Sequence, residues 1–81
     1  MTVRIQFWSY FRELTGTAET SAQLPPGATL DTLLNDLHAR FPKLATMRNS
    51  TLVAVGVDYQ PREHPLKDGD VVSLFPPVQG G

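Results

Sequence analysis

An α+β fold, with one main helix laid across a small mixed sheet, is what three features of this sequence predict. The first is the strict alternation over residues 2–8, which puts Val3, Ile5 and Phe7 on one side and Arg4, Gln6 and Trp8 on the other. The second is a helical stripe made by Leu30, Leu33, Leu34, Leu37 and Phe41. The third is the order of the segments: strand, strand, helix, then two or three short apolar strands separated by turn residues.

The first strand ends at Trp8. Residues 9–14 have room for one helical turn with Ser9 as N-cap, and Gly16 permits a tight return. Residues 18–24 alternate weakly and are predicted to pair with the first strand as a hairpin, closed by Pro25-Pro26-Gly27. The main helix is expected over residues 29–40. Thr29 caps it, Asp31 favours the positive end of its dipole, and Pro42 stops it. A single turn followed by loop is expected over residues 43–50.

Residues 52–57 (LVAVGV) are nearly all apolar and β-branched, as in a central strand, with Gly56 marking a bend near its end. Asp58 is expected to turn the chain into a short strand at Tyr59-Gln60. Residues 61–67 read as loop, and Lys67-Asp68-Gly69-Asp70 as a turn. The last strand, residues 71–75, directs Val72 and Leu74 inward and Val71, Ser73 and Phe75 outward. If it lies parallel to the first strand at the centre of the sheet, the chain leaves from the middle of the domain's end.

The bulk properties exclude several function classes. The chain has 81 residues, 41% apolar and 19% charged, enough for one small globular domain. Net charge is −1 with no basic stripe, which gives nucleic acid no footprint. There is no cysteine, hence no disulfide, thiolate metal site or cysteine nucleophile; a cytoplasmic protein is expected. His38 falls beside the apolar stripe and His64 in a loop, and both read as structural or solvated; no metal site is expected. Asp68 and Asp70 flank a turn glycine and read as turn residues. No phosphate-cradling loop or nucleophile elbow is present. The domain therefore has no visible active site of its own.

Two features remain for function. Trp8, Tyr59 and Phe75 occupy outward strand positions, which suggests a partner-binding patch. Beyond the domain (residues 1–75), residues 76–81 form an extended tail: Pro76 and Pro77 stiffen the exit, Val78 and Gln79 follow, and Gly80-Gly81 make a tip without side chains.

With Phe11-Arg12-Glu13-Leu14 and Gly16, His64-Pro65-Leu66-Lys67-Asp68-Gly69-Asp70, and Phe75-Pro76-Pro77-Val78 before Gly80-Gly81, the sequence resembles the small subunits of molybdopterin synthase, ubiquitin-like β-grasp sulfur carriers. The resemblance spans the whole chain. One departure is Gly56, where that family often has Asn; glycine takes up the same backbone conformation.

The resemblance implies that an E1-like enzyme adenylates the Gly81 carboxylate with ATP, no cofactor being bound by the carrier itself. A persulfide donor then displaces AMP and leaves a C-terminal thiocarboxylate. It further implies that the synthase large subunit receives the tail, Gly80 included, and uses the sulfur to convert cyclic pyranopterin monophosphate to molybdopterin. Trp8, Tyr59, Phe75, Pro76, Pro77 and Val78 are then the partner-binding residues, with Arg12 a further candidate contact. Carriage for thiamine synthesis and lysine conjugation through Gly81, as in a ubiquitin-like modifier, are the alternative readings.

Overall fold

The computed structural model of the chain describes residues 1–77. Five strands form a mixed sheet in the order β2-β1-β5-β3-β4. They are β1 (Thr2–Phe7), β2 (Glu19–Gln23), β3 (Leu52–Val55), β4 (Asp58–Tyr59) and β5 (Val71–Phe75). The helices are α1 (Phe11–Thr15), α2 (Leu30–Arg40) and α3 (Pro42–Ala45), with a 3-10 turn at Arg48–Ser50. This is the α+β, ubiquitin-like β-grasp architecture that the sequence predicts.

β1 pairs antiparallel with β2, with Ile5 opposite Thr20, and parallel with β5, with Ile5 beside Val72. β5 is thus the middle strand, and it delivers the chain to Pro76 from the centre of the sheet. The inner face of the sheet carries Val3, Ile5, Phe7, Val72 and Leu74, all buried, as the alternation predicts. α2 covers that face with Leu30, Leu33, Leu34 and Leu37, equally buried. Phe11 and Leu44 bring α1 and α3 into the same core. Truncating any of these leucines to alanine typically costs 2–5 kcal/mol, roughly the whole stability of a domain this small.

The caps explain where α2 begins. Thr29 is its N-cap, and Thr29 and Thr32 satisfy each other reciprocally: the Thr32 N–H donates to Thr29 Oγ1, and the Thr29 N–H to Thr32 Oγ1. At the other end Pro42 both stops α2 and opens α3, because a proline at the first helical position gives up an N–H that has no intrahelical partner.

Three expectations are corrected. Ser9 does not cap α1. Its φ of +58° places it in the left-handed region, and Tyr10 takes the cap position without a side-chain hydrogen bond. The third strand stops at Val55, because Gly56 and Val57 form the two-residue turn of a hairpin whose partner is Asp58. Gly56 has φ +63° while Val57 does not share that region, which is the II′ pattern that matches strand twist. Asp58 accordingly lies in the short strand, and Gln60 just beyond it. β3 is an interior strand, as expected. Only Ala54 of its four residues is buried, the others being half-buried, since β4 is too short to cover its length.

The Lys67–Asp70 turn forms as expected, with Gly69 at φ +86°. The Lys67 N–H donates to Asp70 Oδ2 at 2.8 Å, and the Thr2 N–H donates to Asp68 Oδ1 at 2.7 Å. This turn therefore also holds the start of β1.

Candidate functional site

Among the described residues no helix covers the outer face of the sheet. Strand parity sends Trp8, Ser73, Phe75, Ala54 and Tyr59 to this side, and the register brings them together. Tyr59 lies opposite Ala54, Ala54 opposite Ser73, and Leu52 opposite Phe75. Tyr59 and Phe75 stand on strands either side of β3 yet pack ring against ring, with centroids 5.6 Å apart. They meet above β3, where Ala54 offers only a methyl group; this is why Ala54 is buried on an otherwise open face. The Trp8 N–H donates to the Leu74 carbonyl at 3.0 Å, fixing the residue beside the end of β5.

An apolar cleft of about 660 Å³ results, walled by Trp8, Tyr10, Phe75, Pro76 and Pro77, with Ala54, Gly56 and Ser73 among its other lining residues. Trp8 is 48% exposed and Tyr59 67%. Phe75, expected to face solvent, is half-buried because Tyr59 leans on it. Aromatic side chains offered on a rigid face, at low entropic cost, are what interface hot spots are made of.

The structure brings together Trp8, Phe75, Pro76 and Pro77 around this cleft, with Tyr59 stacked at its side. Arg12 stands apart from it, exposed on α1, and shares a second, smaller groove with Trp8, Gln6 and Glu19. Val78, Gly80 and Gly81 lie outside the described residues. Tyr10 was not anticipated. Its ring is 40% exposed and packs edge-on against Phe11 at 5.3 Å. The sequence signal was present, an aromatic two residues after Trp8, but assigning it to a regular helical turn concealed it. The left-handed Ser9 sets its course instead.

Little acid–base chemistry is available. Among the described residues no group of three His, Cys, Asp or Glu side chains gathers as a metal site. His38 is the one buried polar residue, and neither of its ring nitrogens has a hydrogen-bond partner among the described residues. Burial, reinforced by the positive charges of Arg48 and Arg62, holds its pKa below the usual histidine value. It sits on the buried side of α2, near its C-terminal end, and does not line the cleft.

Comparison with known proteins decides the family. The ThiS family profile matches residues 5–81. The chain belongs to the ThiS family. It is 36% identical over 83 residues to the molybdopterin synthase sulfur carrier subunit of Escherichia coli, covering 98% of this chain and 99% of that one. Among solved structures, SAMP1 from Haloferax volcanii superposes with a TM-score of 0.91 over the full length of both chains; at 20% identity it speaks for the fold alone. A chain in the complex of subunits 1 and 2 of the Helicobacter pylori molybdopterin-converting factor matches with a TM-score of 0.74 and 27% identity, over the whole of both chains.

Proposed function

We propose that this ThiS-family chain is the sulfur-carrier subunit of a molybdopterin synthase, with the last residue of the sequence, Gly81, bearing the sulfur as a thiocarboxylate. One observation supports this reading above the others. The middle strand of the sheet ends at the aromatic cleft and runs straight into Pro76-Pro77, so the docking face and the root of the tail are one continuous surface. The homologues named molybdopterin synthase sulfur carrier subunit match along nearly the whole chain, and a structural relative is seen with subunit 2 of its complex.

The chemistry follows from the group at the tip. A carboxylate, with a pKa of about 3.5, is ionised at neutral pH and is a poor electrophile. Adenylation by an E1-like enzyme replaces an oxygen anion with a good leaving group, releasing pyrophosphate from ATP. A persulfide sulfur attacks the acyl carbon and AMP departs; cleavage of the S–S bond by a donor thiol leaves the thiocarboxylate. The tail then enters the large subunit, where the sulfur passes to the pyranopterin. Two glycines let the tip fit narrow active sites, and the two prolines reduce the freedom lost on insertion.

Intact mass spectrometry of the protein from its native cell tests the reading. Replacement of one terminal oxygen by sulfur is expected. Recovery in lysine-linked adducts without the thiocarboxylate would point to a modifier. Removing Gly81 is expected to leave folding and large-subunit binding intact while abolishing sulfur transfer; molybdopterin made with the truncated chain would overturn the proposal.

A further inference from the structure

The free edge of the sheet at β2 carries a device that the function above does not use. Residue parity can be read from the hydrogen bonds. The Arg4 N–H donates to Asp70 on the β5 side, whereas the Phe7 N–H donates to Ala18 on the β2 side. Odd residues of β1 therefore face β2, and by the register Val3 opposite Ala22 and Ile5 opposite Thr20 are the hydrogen-bonded pairs. It follows that the backbone groups of Glu19, Ser21 and Gln23 point away from the sheet.

An edge strand so placed is a template for another strand. Here two of its outward carbonyls, those of Glu19 and Ser21, accept from the chain's own side chains. Arg40, in the last turn of α2, reaches over the edge and donates to the Ser21 carbonyl at 3.0 Å and to Thr20 Oγ1 at 2.7 Å. Its guanidinium is steadied by Asp36 at 3.5 Å and lies 5.3 Å from the centre of the Phe41 ring. Thr17 Oγ1 donates to the Glu19 carbonyl at 2.9 Å. The opposite edge needs no such guard: β4 is two residues long, and only Tyr59 directs backbone groups outward.

We propose that the β2 edge is a self-pairing surface for a second copy of this chain, held shut by Arg40. The sequence of the strand favours a copy of itself over other partners. In an antiparallel β2–β2 pairing about a two-fold axis through Ser21, Ser21 meets Ser21 as a hydrogen-bonded pair and Glu19 meets Gln23, so no like charges oppose each other. The two sheets become one of ten strands. While Arg40 lies across the edge at the Ser21 carbonyl, it competes with the central hydrogen bonds of that pairing, and the chain stays monomeric.

Light scattering on size-exclusion fractions tests this with the full chain. Arg40→Met keeps the apolar stem over Phe41 and removes the donors. It is expected to shift the protein to a dimer as concentration rises toward roughly 0.5 mM, while the wild type remains monomeric. Adding Ser21→Pro is expected to restore the monomer, because the Ser21 N–H lies outside the β1–β2 ladder and proline is tolerated on an outward edge. Circular dichroism checks that each variant is folded. Should Arg40→Met fail to fold, Arg40→Leu, which also removes the donors, takes its place under the same criteria. A folded variant that stays monomeric at that concentration overturns the proposal, as does a dimer that survives Ser21→Pro or a wild type that is itself dimeric.

Discussion

Tyr59 and Phe75 pack on the open face of the sheet at 5.6 Å with their ring planes inclined at 50°, above the methyl group of Ala54. The contact divides the labour between them. Tyr59 remains mostly exposed, so it adds little to the core. Phe75 is half-buried, so it also belongs to the domain.

Substitution should separate these two roles. Tyr59→Glu and Trp8→Glu are each expected to weaken binding to the synthase large subunit by about 10- to 100-fold, the range of a hot-spot aromatic, with little change in melting temperature. Phe75→Glu is expected to lower both affinity and stability, since it also strips the packing from Tyr59. Titration calorimetry with a parallel thermal melt distinguishes the outcomes. Unchanged affinity in Tyr59→Glu and Trp8→Glu would remove the cleft face from the docking surface.

Gly56 is expected to resist substitution for a purely backbone reason. Its φ is +63°, and a Cβ placed there meets nothing within 4 Å. Gly56→Ala should therefore cost about 1–2 kcal/mol, the left-handed penalty, without any clash. Gly56→Asn should cost less, because asparagine tolerates that region. Gly56→Val should cost the most. Urea denaturation gives the order; a neutral Gly56→Val would mean that the hairpin turn can change type.

Asp68 ties the two ends of the domain together. The Thr2 N–H donates to its carboxylate, while the Gly69 N–H donates back to the Thr2 carbonyl at 2.8 Å. Asp68→Ala is expected to cost about 1–2 kcal/mol, a charged acceptor's share, and to speed amide exchange at Thr2. Asp68→Asn, which keeps an acceptor oxygen, should recover most of the loss. Exchange at Thr2 unaffected by Asp68→Ala would show that the turn does not anchor β1.

What the sequence made legible follows from periodicity. Val3, Ile5 and Phe7 alternate without exception, and the leucines of α2 recur at helical spacing, so both inner layers were readable before any coordinates. The outward parity of Trp8, Tyr59 and Phe75 came from the same alternation. Ser9 and Tyr10 escaped it because a left-handed non-glycine residue has no strong signature in sequence. The bend at Gly56 and the short strand after it were legible, but the end of β3 was placed two residues late because an apolar run hides where a strand stops; the turn is made by Gly-Val, not by a polar pair. The stacking of Tyr59 on Phe75 depends on β3 lying between their strands, and strand order is a tertiary fact that short local patterns do not encode.

His38 makes stability depend on pH, and the sign is fixed by its surroundings. Buried on the inner side of α2 without hydrogen-bond partners among the described residues, and facing the charges of Arg48 and Arg62, it has a folded-state pKa below the usual value of about 6.5. The unfolded chain therefore binds the proton more tightly than the folded one. Above pH 7.5 both states are neutral at this residue and it adds no pH dependence. As pH falls through 6.5 the unfolded state gains a proton that the folded state refuses. Stability then declines until the folded pKa is reached, by up to about 1.4 kcal/mol for each unit separating the two values. Carboxylates titrate mainly below pH 5, so the window from 7.5 to 5.5 lies above them, and comparison with a His38 variant separates His38 from His64. Urea midpoints are expected to fall across that window in the wild type and to stay level in His38→Leu, which keeps the buried volume and removes the titration. Equal slopes in the two proteins would assign the acid sensitivity to another group.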